Sequence, residues 1–203
     1  MKRGVAIEDY LKPLQPNQTQ CYLTNTLQVA DIVEWTLAQI GKSTIWQTSF
    51  SISEEFLRRL YFISKSGNVE TIHLLLDFKA TQKTLRLWAF LSQVIEHTYL
   101  ADNHSKVILI QPVGTPKKLQ VSHGESGSPE HLNAAKRQSA CEGAEREMSV
   151  AIITSQNLTR GNRHESAIVT TDPTIFNTLH TEIEDLIKNH SVPLSELYNA
   201  QIK

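Results

Sequence analysis

The strongest constraint on this chain is the alternation of two apolar patterns along it. Runs rich in β-branched and large apolar residues, such as 72–76, 107–110 and 150–153, have the length of strands. Between such runs lie segments whose apolar residues recur at helical spacing, as on one face of a helix. This alternation predicts an α/β fold with a mixed, largely parallel sheet that is flanked by helices on both faces.

Helix boundaries carry their own signals. Gly41 follows a helical pattern and is expected to end that helix. Ser53 precedes two glutamates, and Asp172 precedes Pro173, so both are typical residues for a helix N-cap. These signals place helices between the strand-like runs, as an α/β fold requires.

At 203 residues the chain predicts one domain with appendages. Residues 1–24 contain two prolines and are expected to form an N-terminal arm. The α/β domain is predicted over 25–190, and 191–203 form a C-terminal tail. The segment 112–147 is rich in Gly, Pro and charge, which favours a flexible loop inserted into the domain.

Composition excludes several classes of protein. The net charge of -1 gives no global basic field, so nucleic-acid binding needs a local patch. No apolar run approaches the ~20 residues of a membrane span, and the N-terminus lacks the apolar core of a secretory signal. Cys21 and Cys141 form no disulfide framework and are interpreted as free thiols. The chain is therefore expected to be cytoplasmic and without a membrane partner.

Polar residues stand at the edges of two of the apolar runs. His104 and Lys106 precede one run, and Ser155 and Asn157 follow the other, with Glu165 a short distance further on. Each pair is two residues apart, so on a strand its members point to one face. If the strand ends meet, these side chains form a small cationic pocket that contains a nucleophile.

This order of residues resembles the phospholipase D superfamily, whose pattern is His-x-Lys, then Ser-x-Asn, then an acidic residue. Here the pattern reads His104-x-Lys106, Ser155-x-Asn157 and Glu165, and 155–165 is especially similar to bacterial and phage members. The resemblance implies that His104 attacks phosphorus and that Glu165 holds its other ring nitrogen. Lys106 and Asn157 then stabilise the phosphate oxygens, and Ser155 adds a hydroxyl.

The resemblance also bears on substrate contacts and cofactors. Arg160 and Arg163 lie at the rim of the expected pocket and are candidates for phosphate binding. No metal or other cofactor is expected, because Lys106 supplies positive charge and the sequence has no convincing metal-ligand set. Two positions depart from the family pattern: Gln111 replaces a usual Asp, and Thr154 replaces a usual Gly.

Since only one His-x-Lys occurs, the resemblance implies that a homodimer brings two copies of His104 together. The predicted function is a metal-independent phosphodiesterase, a nuclease that acts on DNA through a phosphohistidine. The alternative is a catalytically impaired relative that serves as a nucleic-acid-binding or structural module. Lipid phosphodiester transfer is a weaker third possibility, because no basic amphipathic helix or lipidation signal is present.

Overall fold

The computed structural model describes residues 6–114, 148–159 and 163–202. The predicted insert over 112–147 lies outside the described residues except at its first three positions, 112–114. Arg160 and Cys141 lie outside them as well.

The described residues form one sheet of eight strands with helices packed on it. The strands are β1 (Thr19–Thr24), β2 (Ser43–Ser49), β3 (Val69–Asp77), β4 (His97–Ala101), β5 (Val107–Pro112), β6 (Val150–Thr154), β7 (Glu165–Thr170) and β8 (Val192–Pro193). The helices are α1 (Val29–Ile40), α2 (Glu54–Lys65), α3 (Thr81–Arg86), α4 (Trp88–Val94), α5 (Pro173–Asn189) and α6 (Leu194–Ile202). Within the described chain no helix is both long and apolar enough to cross a bilayer.

The sheet order is β1-β7-β6-β5-β2-β3-β4-β8. The α/β class and the mixed sheet are confirmed, but the parallel share is smaller than predicted. Only the pairs β2–β3 and β3–β4 of this sheet are parallel, and the other pairs are antiparallel. The connection from β6 to β7, residues 155–164, is too short for the crossover that parallel neighbours need, so these strands run antiparallel.

The predicted helix signals are confirmed. Gly41 ends α1 with a φ of 83°, a conformation that a residue without Cβ adopts at little cost. The Ser53 side chain accepts from the Phe56 N–H and caps α2. Asp172 caps α5 in the same way, with Pro173 in its first turn.

Three local predictions were wrong. Residues 19–24, which the sequence places in an arm, form edge strand β1 and pair with β7. The helical spacing of apolar residues over 81–95 predicts one helix, but these residues form two, because the helical hydrogen-bond pattern is interrupted at Leu87. The strand expected to start at His104 starts at Val107, so His104 and Lys106 lie in the turn before β5.

The two faces of the sheet carry separate apolar cores, because successive strand residues point to opposite sides. Ile45, Ile108 and Ile152 belong to the larger core, which also contains apolar side chains of α1, α2 and α4. Leu109 and Phe176 belong to the smaller core, where α5 packs on the other face. Helices cover both faces of the sheet. The polar groups lie instead at one end of its strands, where β4 and β6 terminate.

Candidate active site

Several strand ends meet along one edge of the sheet. The register pairs Val107 with Ile153 and Thr154 with Ala167, so the start of β5, the end of β6 and the start of β7 lie side by side. The end of β2 lies next to the start of β5 on the other side. We call this region the polar edge; it comprises residues 48–49, 103–106, 155–157 and Glu165.

His104 and Lys106 lie in the turn that leads into β5. The His104 side chain is exposed, and its ring centroid is 5.4 Å from that of Phe50, with the planes tilted by 57°. The Lys106 ammonium donates to the His104 carbonyl oxygen at 3.1 Å. The Lys106 carbonyl accepts from the Thr154 N–H at 3.0 Å, which joins this turn to the end of β6. The imidazole and the ammonium are thus both available at the polar edge.

Ser155 and Glu165 are held together across the β6–β7 pair. The Ser155 hydroxyl donates to the Glu165 carboxylate and accepts from the Ser166 N–H at 3.0 Å. Among the described residues no hydrogen bond joins Glu165 to the His104 ring. Glu165 as the acceptor for His104 therefore stays a prediction.

The Glu165 carboxylate also acts on a buried phenol. Burial raises the pKa of Tyr22, and the nearby Asp31 and Glu165 carboxylates raise it further. Tyr22 lies on β1 and is 8% exposed.

Asn157 is fixed by β2, the strand next to β5. The Ser49 hydroxyl lies 3.3 Å from Asn157 Oδ1 and 3.0 Å from the Ser51 carbonyl, and it accepts from the Leu158 N–H at 3.1 Å. The Ser49 hydroxyl has one proton and lies closer to the Ser51 carbonyl than to Asn157 Oδ1. Of the two ends of the Asn157 amide, the NH₂ group is the one that can donate to an anion.

The residue between Ser155 and Asn157 anchors the segment to the body of the protein. Gln156 is 2% exposed. Its Oε1 accepts from the Val29 N–H at 2.8 Å, and its Nε2 donates to Gln28 at 2.7 Å, so it binds the N-terminus of α1. Sequence reasoning missed this anchor, because nothing in a lone glutamine indicates a partner over a hundred residues away.

The remaining candidates divide between exposed and undescribed positions. Arg163 is exposed, and the second rim residue, Arg160, lies outside the described residues. Gln111, which departs from the family pattern, is exposed near the far end of β5 and pairs with Thr44. Because a strand rises ~3.3 Å per residue, Gln111 near the far end of β5 lies well away from His104, which precedes the start of β5.

Sequence reasoning also missed four residues that hold the polar edge: Thr48, Ser49, Asn103 and Ser105. Of the serines that follow β2, Ser51 is buried and Ser53 caps α2. The signal that was available is the change from apolar residues to hydroxyl residues after Gln47, which marks the end of a strand whose polar groups need partners. No cluster of three or more His, Cys, Asp or Glu side chains suited to a metal ion occurs in the part of the chain that the structure describes.

Solved structures provide the comparison for this fold. Nuc from Salmonella typhimurium, a phospholipase D family member, matches 87% of this chain and 97% of its own length, with 12% identity and a TM-score of 0.54. NucT from Helicobacter pylori matches over 87% and 98%, with 10% identity and a TM-score of 0.52. Phosphatidylserine synthase from Haemophilus influenzae matches over 89% of this chain and 42% of its own, with 11% identity and a TM-score of 0.50.

No protein-family model matches the chain, and no curated protein sequence matches it. The structural likenesses nevertheless agree with one another in fold. The chain shares the fold of these solved structures, one of which is a phospholipase D family member. Its His-x-Lys, Ser-x-Asn and Glu residues all lie along the polar edge of that fold.

Proposed function

We propose that this protein is a metal-independent phosphodiesterase, a nuclease that acts on DNA through a phosphohistidine on His104. The observation that carries the proposal is the presence of an imidazole, an ammonium, a carboxamide and a carboxylate along one edge of a phospholipase D fold. These groups are His104, Lys106, Asn157 and Glu165. Contacts with neighbouring segments hold Lys106, Asn157 and Glu165, and the Lys106 ammonium donates to the His104 carbonyl.

The proposed chemistry uses these side chains together with a second copy of His104. One His104 attacks the phosphorus atom, and the bond to the leaving oxygen breaks as the second His104 protonates that oxygen. Water then hydrolyses the phosphohistidine and gives a proton back to the second His104. The Lys106 ammonium and the Asn157 amide stabilise the equatorial oxygens, where negative charge gathers in the transition state. Glu165 accepts from the other ring nitrogen of His104 and stabilises the imidazolium, and Ser155 adds a hydroxyl. Arg163, with Arg160, steers the phosphate backbone toward the site.

A homodimer completes the proposed site, because the leaving oxygen needs a second imidazole and the sequence has a single His-x-Lys. An exposed apolar surface supports self-association. Leu23 of β1 and Ile168 of β7 are 69% and 42% exposed. Ile168 pairs with Cys21, two residues before Leu23, so these side chains share one face of the sheet, and Ile168 lies on the strand that carries Glu165.

The DNA substrate and the cytoplasmic location are also part of this proposal. The fold is shared with phosphatidylserine synthase, so the fold alone does not choose between a nucleic acid and a lipid. The exposed free thiol of Cys21 supports a reducing compartment. The absence of a basic amphipathic pattern in the sequence favours nucleic acid over a lipid surface.

The first test is cleavage of plasmid DNA and of bis(p-nitrophenyl) phosphate by the full chain in excess EDTA. We expect turnover in EDTA and its loss in His104→Ala. His190→Ala is the matched control, since His190 is an exposed histidine at the end of α5 to which the proposed mechanism assigns no role. Activity that EDTA removes, or that survives in His104→Ala, would contradict the proposed mechanism.

The second test concerns the dimer. Wild-type and His104→Ala chains are mixed in equal amounts, unfolded and refolded together, and assayed. If each site needs both copies of His104, random pairing leaves about a quarter of the wild-type activity per total chain, instead of about half. Light scattering on the same samples reports the mass of the assembly. A monomer with full activity would exclude the shared site.

A second function is favoured by one observation. The Ser155 hydroxyl donates to the Glu165 carboxylate, and no described hydrogen bond orients the His104 ring. A chain in this state binds phosphates without turning them over. Salt-sensitive DNA binding with no cleavage of either substrate would support this binding or structural role and exclude the nuclease.

A further inference from the structure

The turn that carries His104 is held by a side chain of the neighbouring strand. The backbone ladder between β2 and β5 ends at the pair Gln47 and Ile108. One residue further on, the Val107 N–H donates to the Thr48 side-chain hydroxyl at 2.9 Å. A hydroxyl thus takes the place of a backbone acceptor at the point where β5 gives way to the turn.

The hydrogen bonds that follow have one allowed direction. The Ser105 N–H donates to the Asn103 side chain at 3.1 Å, and because an N–H can only donate, the accepting atom is Oδ1. The Ser105 hydroxyl donates to the same oxygen at 2.5 Å, which uses its single proton. The Thr48 hydroxyl therefore donates to Ser105 Oγ, at 2.8 Å.

The result is a chain of hydrogen bonds from Val107 to Thr48, Ser105 and Asn103, which we call the Thr48 clamp. All its donors point the same way, so the bonds strengthen one another. A longer contact of 3.4 Å from the Thr48 hydroxyl to the Val107 carbonyl competes weakly with it. Thr48 and Asn103 are 1% and 4% exposed, so two of the four members belong to the interior.

The clamp acts on the residues that matter to the proposed reaction. His104 lies between Asn103 and Ser105, and Lys106 lies between Ser105 and Val107. The clamp therefore fixes the residues on both sides of His104 and on both sides of Lys106, whereas the His104 ring itself remains exposed. Fixing the backbone on both sides of a side chain limits its position without blocking access to it.

We propose that Thr48 and Ser105 are positioning residues that set the place of His104 and Lys106 for attack on a phosphodiester. This inference rests on the proposed function, since it assigns a role within that reaction. A reacting group displaced by about 1 Å can lose roughly 100-fold in rate, so loss of the clamp affects turnover more than binding.

The decisive variant is Thr48→Val, which keeps the shape of the side chain and removes the hydroxyl. With bis(p-nitrophenyl) phosphate as substrate, we expect kcat to fall by roughly 10- to 100-fold and KM to change little. Thr48→Ser restores the hydroxyl and is expected to restore kcat. The matched control is Thr36→Val, because the Thr36 hydroxyl is buried without a hydrogen-bond partner in the described part of the chain.

Ser105→Ala is the second variant, since Ser105 is exposed and its loss does not endanger folding. We expect a similar fall in kcat, with Ser105→Thr recovering part of it. Circular dichroism and thermal unfolding check that each variant is folded. Wild-type kcat in folded Ser105→Ala and Thr48→Val, with His104→Ala inactive, would overturn the positioning role and leave the proposed function standing. Full activity in His104→Ala would overturn both.

Discussion

Histidines occupy two contrasting regions of this molecule. His104 is exposed in a turn at the polar edge, and no described hydrogen bond holds its ring. On the face of the sheet beneath α5, Trp46, His73 and His97 are register partners on β2, β3 and β4, and we call them the aromatic ladder. Their rings stack at 5.4 Å and 4.8 Å between centroids, with planes within 12° of parallel.

The aromatic ladder is also bonded to α5. Trp46 Nε1 donates to Glu184 at 2.6 Å, and the edge of the His180 ring meets Trp46 at 4.5 Å between centroids. The rings of the aromatic ladder pack through their faces against one another, and His180 packs against Trp46 through its edge. Histidine side chains therefore stabilise the fold by packing in the aromatic ladder, whereas the histidine of the polar edge is exposed to solvent.

Their surroundings explain the difference. Burial, with the neighbouring His97, lowers the pKa of His73, against the opposing effect of the Glu184 and Glu96 carboxylates. A stacked imidazole has little freedom to reach a substrate. An imidazole in a fixed turn at the end of a strand has that freedom, so chemistry is expected at the polar edge and stability at the aromatic ladder.

The largest effect on kcat is expected when a histidine of each region is substituted and the two variants are compared. His104→Asn is expected to lower kcat by roughly 10⁴-fold or more, because it removes the nucleophile. His73→Phe keeps a ring in the aromatic ladder and is expected to leave kcat close to wild type. Equal losses in the two variants, measured on bis(p-nitrophenyl) phosphate, would remove the distinction between the two regions.

The next effect concerns the cation of the polar edge. Lys106→Met keeps most of the side-chain volume and removes the charge, so kcat is expected to fall by roughly 100- to 1000-fold. Lys42→Met is the control, because Lys42 precedes β2 at the opposite end of that strand and pairs with the exposed Glu70. Steady-state kinetics of both variants measure the contrast, and similar kinetics in the two would argue against a role for Lys106.

A smaller effect is expected on stability. Glu184→Ala removes the acceptor of the Trp46 indole N–H and is expected to lower the free energy of unfolding by about 1 kcal/mol, with kcat unchanged. Glu182→Ala on the same helix is the control, since Glu182 is exposed and makes no contact of this kind with the described residues. Urea unfolding of both variants gives the comparison. A loss of activity in folded Glu184→Ala would link the aromatic ladder to chemistry.

The smallest effect is a pH dependence of stability. The folded pKa of His73 lies below its unfolded value, so the unfolded chain binds the proton more readily. This group therefore lowers the free energy of unfolding as pH falls below about 6.5, and has no effect well above that pH. His73→Phe is expected to flatten this part of the profile. An unchanged profile in urea titrations between pH 5 and 8 would assign the dependence to other groups.

Local signals in the sequence predicted much of the fold. Gly41, Ser53 and Asp172 mark helix ends through backbone conformation and capping, which depend on a few adjacent residues. Strand β1 was missed, because two prolines before Thr19 favour an irregular arm and its partner strand lies far along the chain. The parallel share of the sheet was overestimated, because apolar runs reveal burial and not strand direction.

Only the reactive groups of the candidate site could be predicted from the sequence. His104 and Lys106, with Asn157 and Glu165, are visible because their types and order form a pattern. The contacts that hold them join distant residues, as Thr48 does with Ser105, and such contacts depend on strand register. The aromatic ladder is hidden for the same reason, since the pairing of three strands aligns its rings.

The central claim is that the His104 imidazole forms a bond to phosphorus at the polar edge. Rapid acid-free quenching of the full chain with bis(p-nitrophenyl) phosphate, followed by peptide mass analysis, tests it most directly. We predict a p-nitrophenylphosphoryl group on the peptide that contains His104, and none in His104→Asn. A turnover-competent protein whose adduct lies on another residue would contradict this claim.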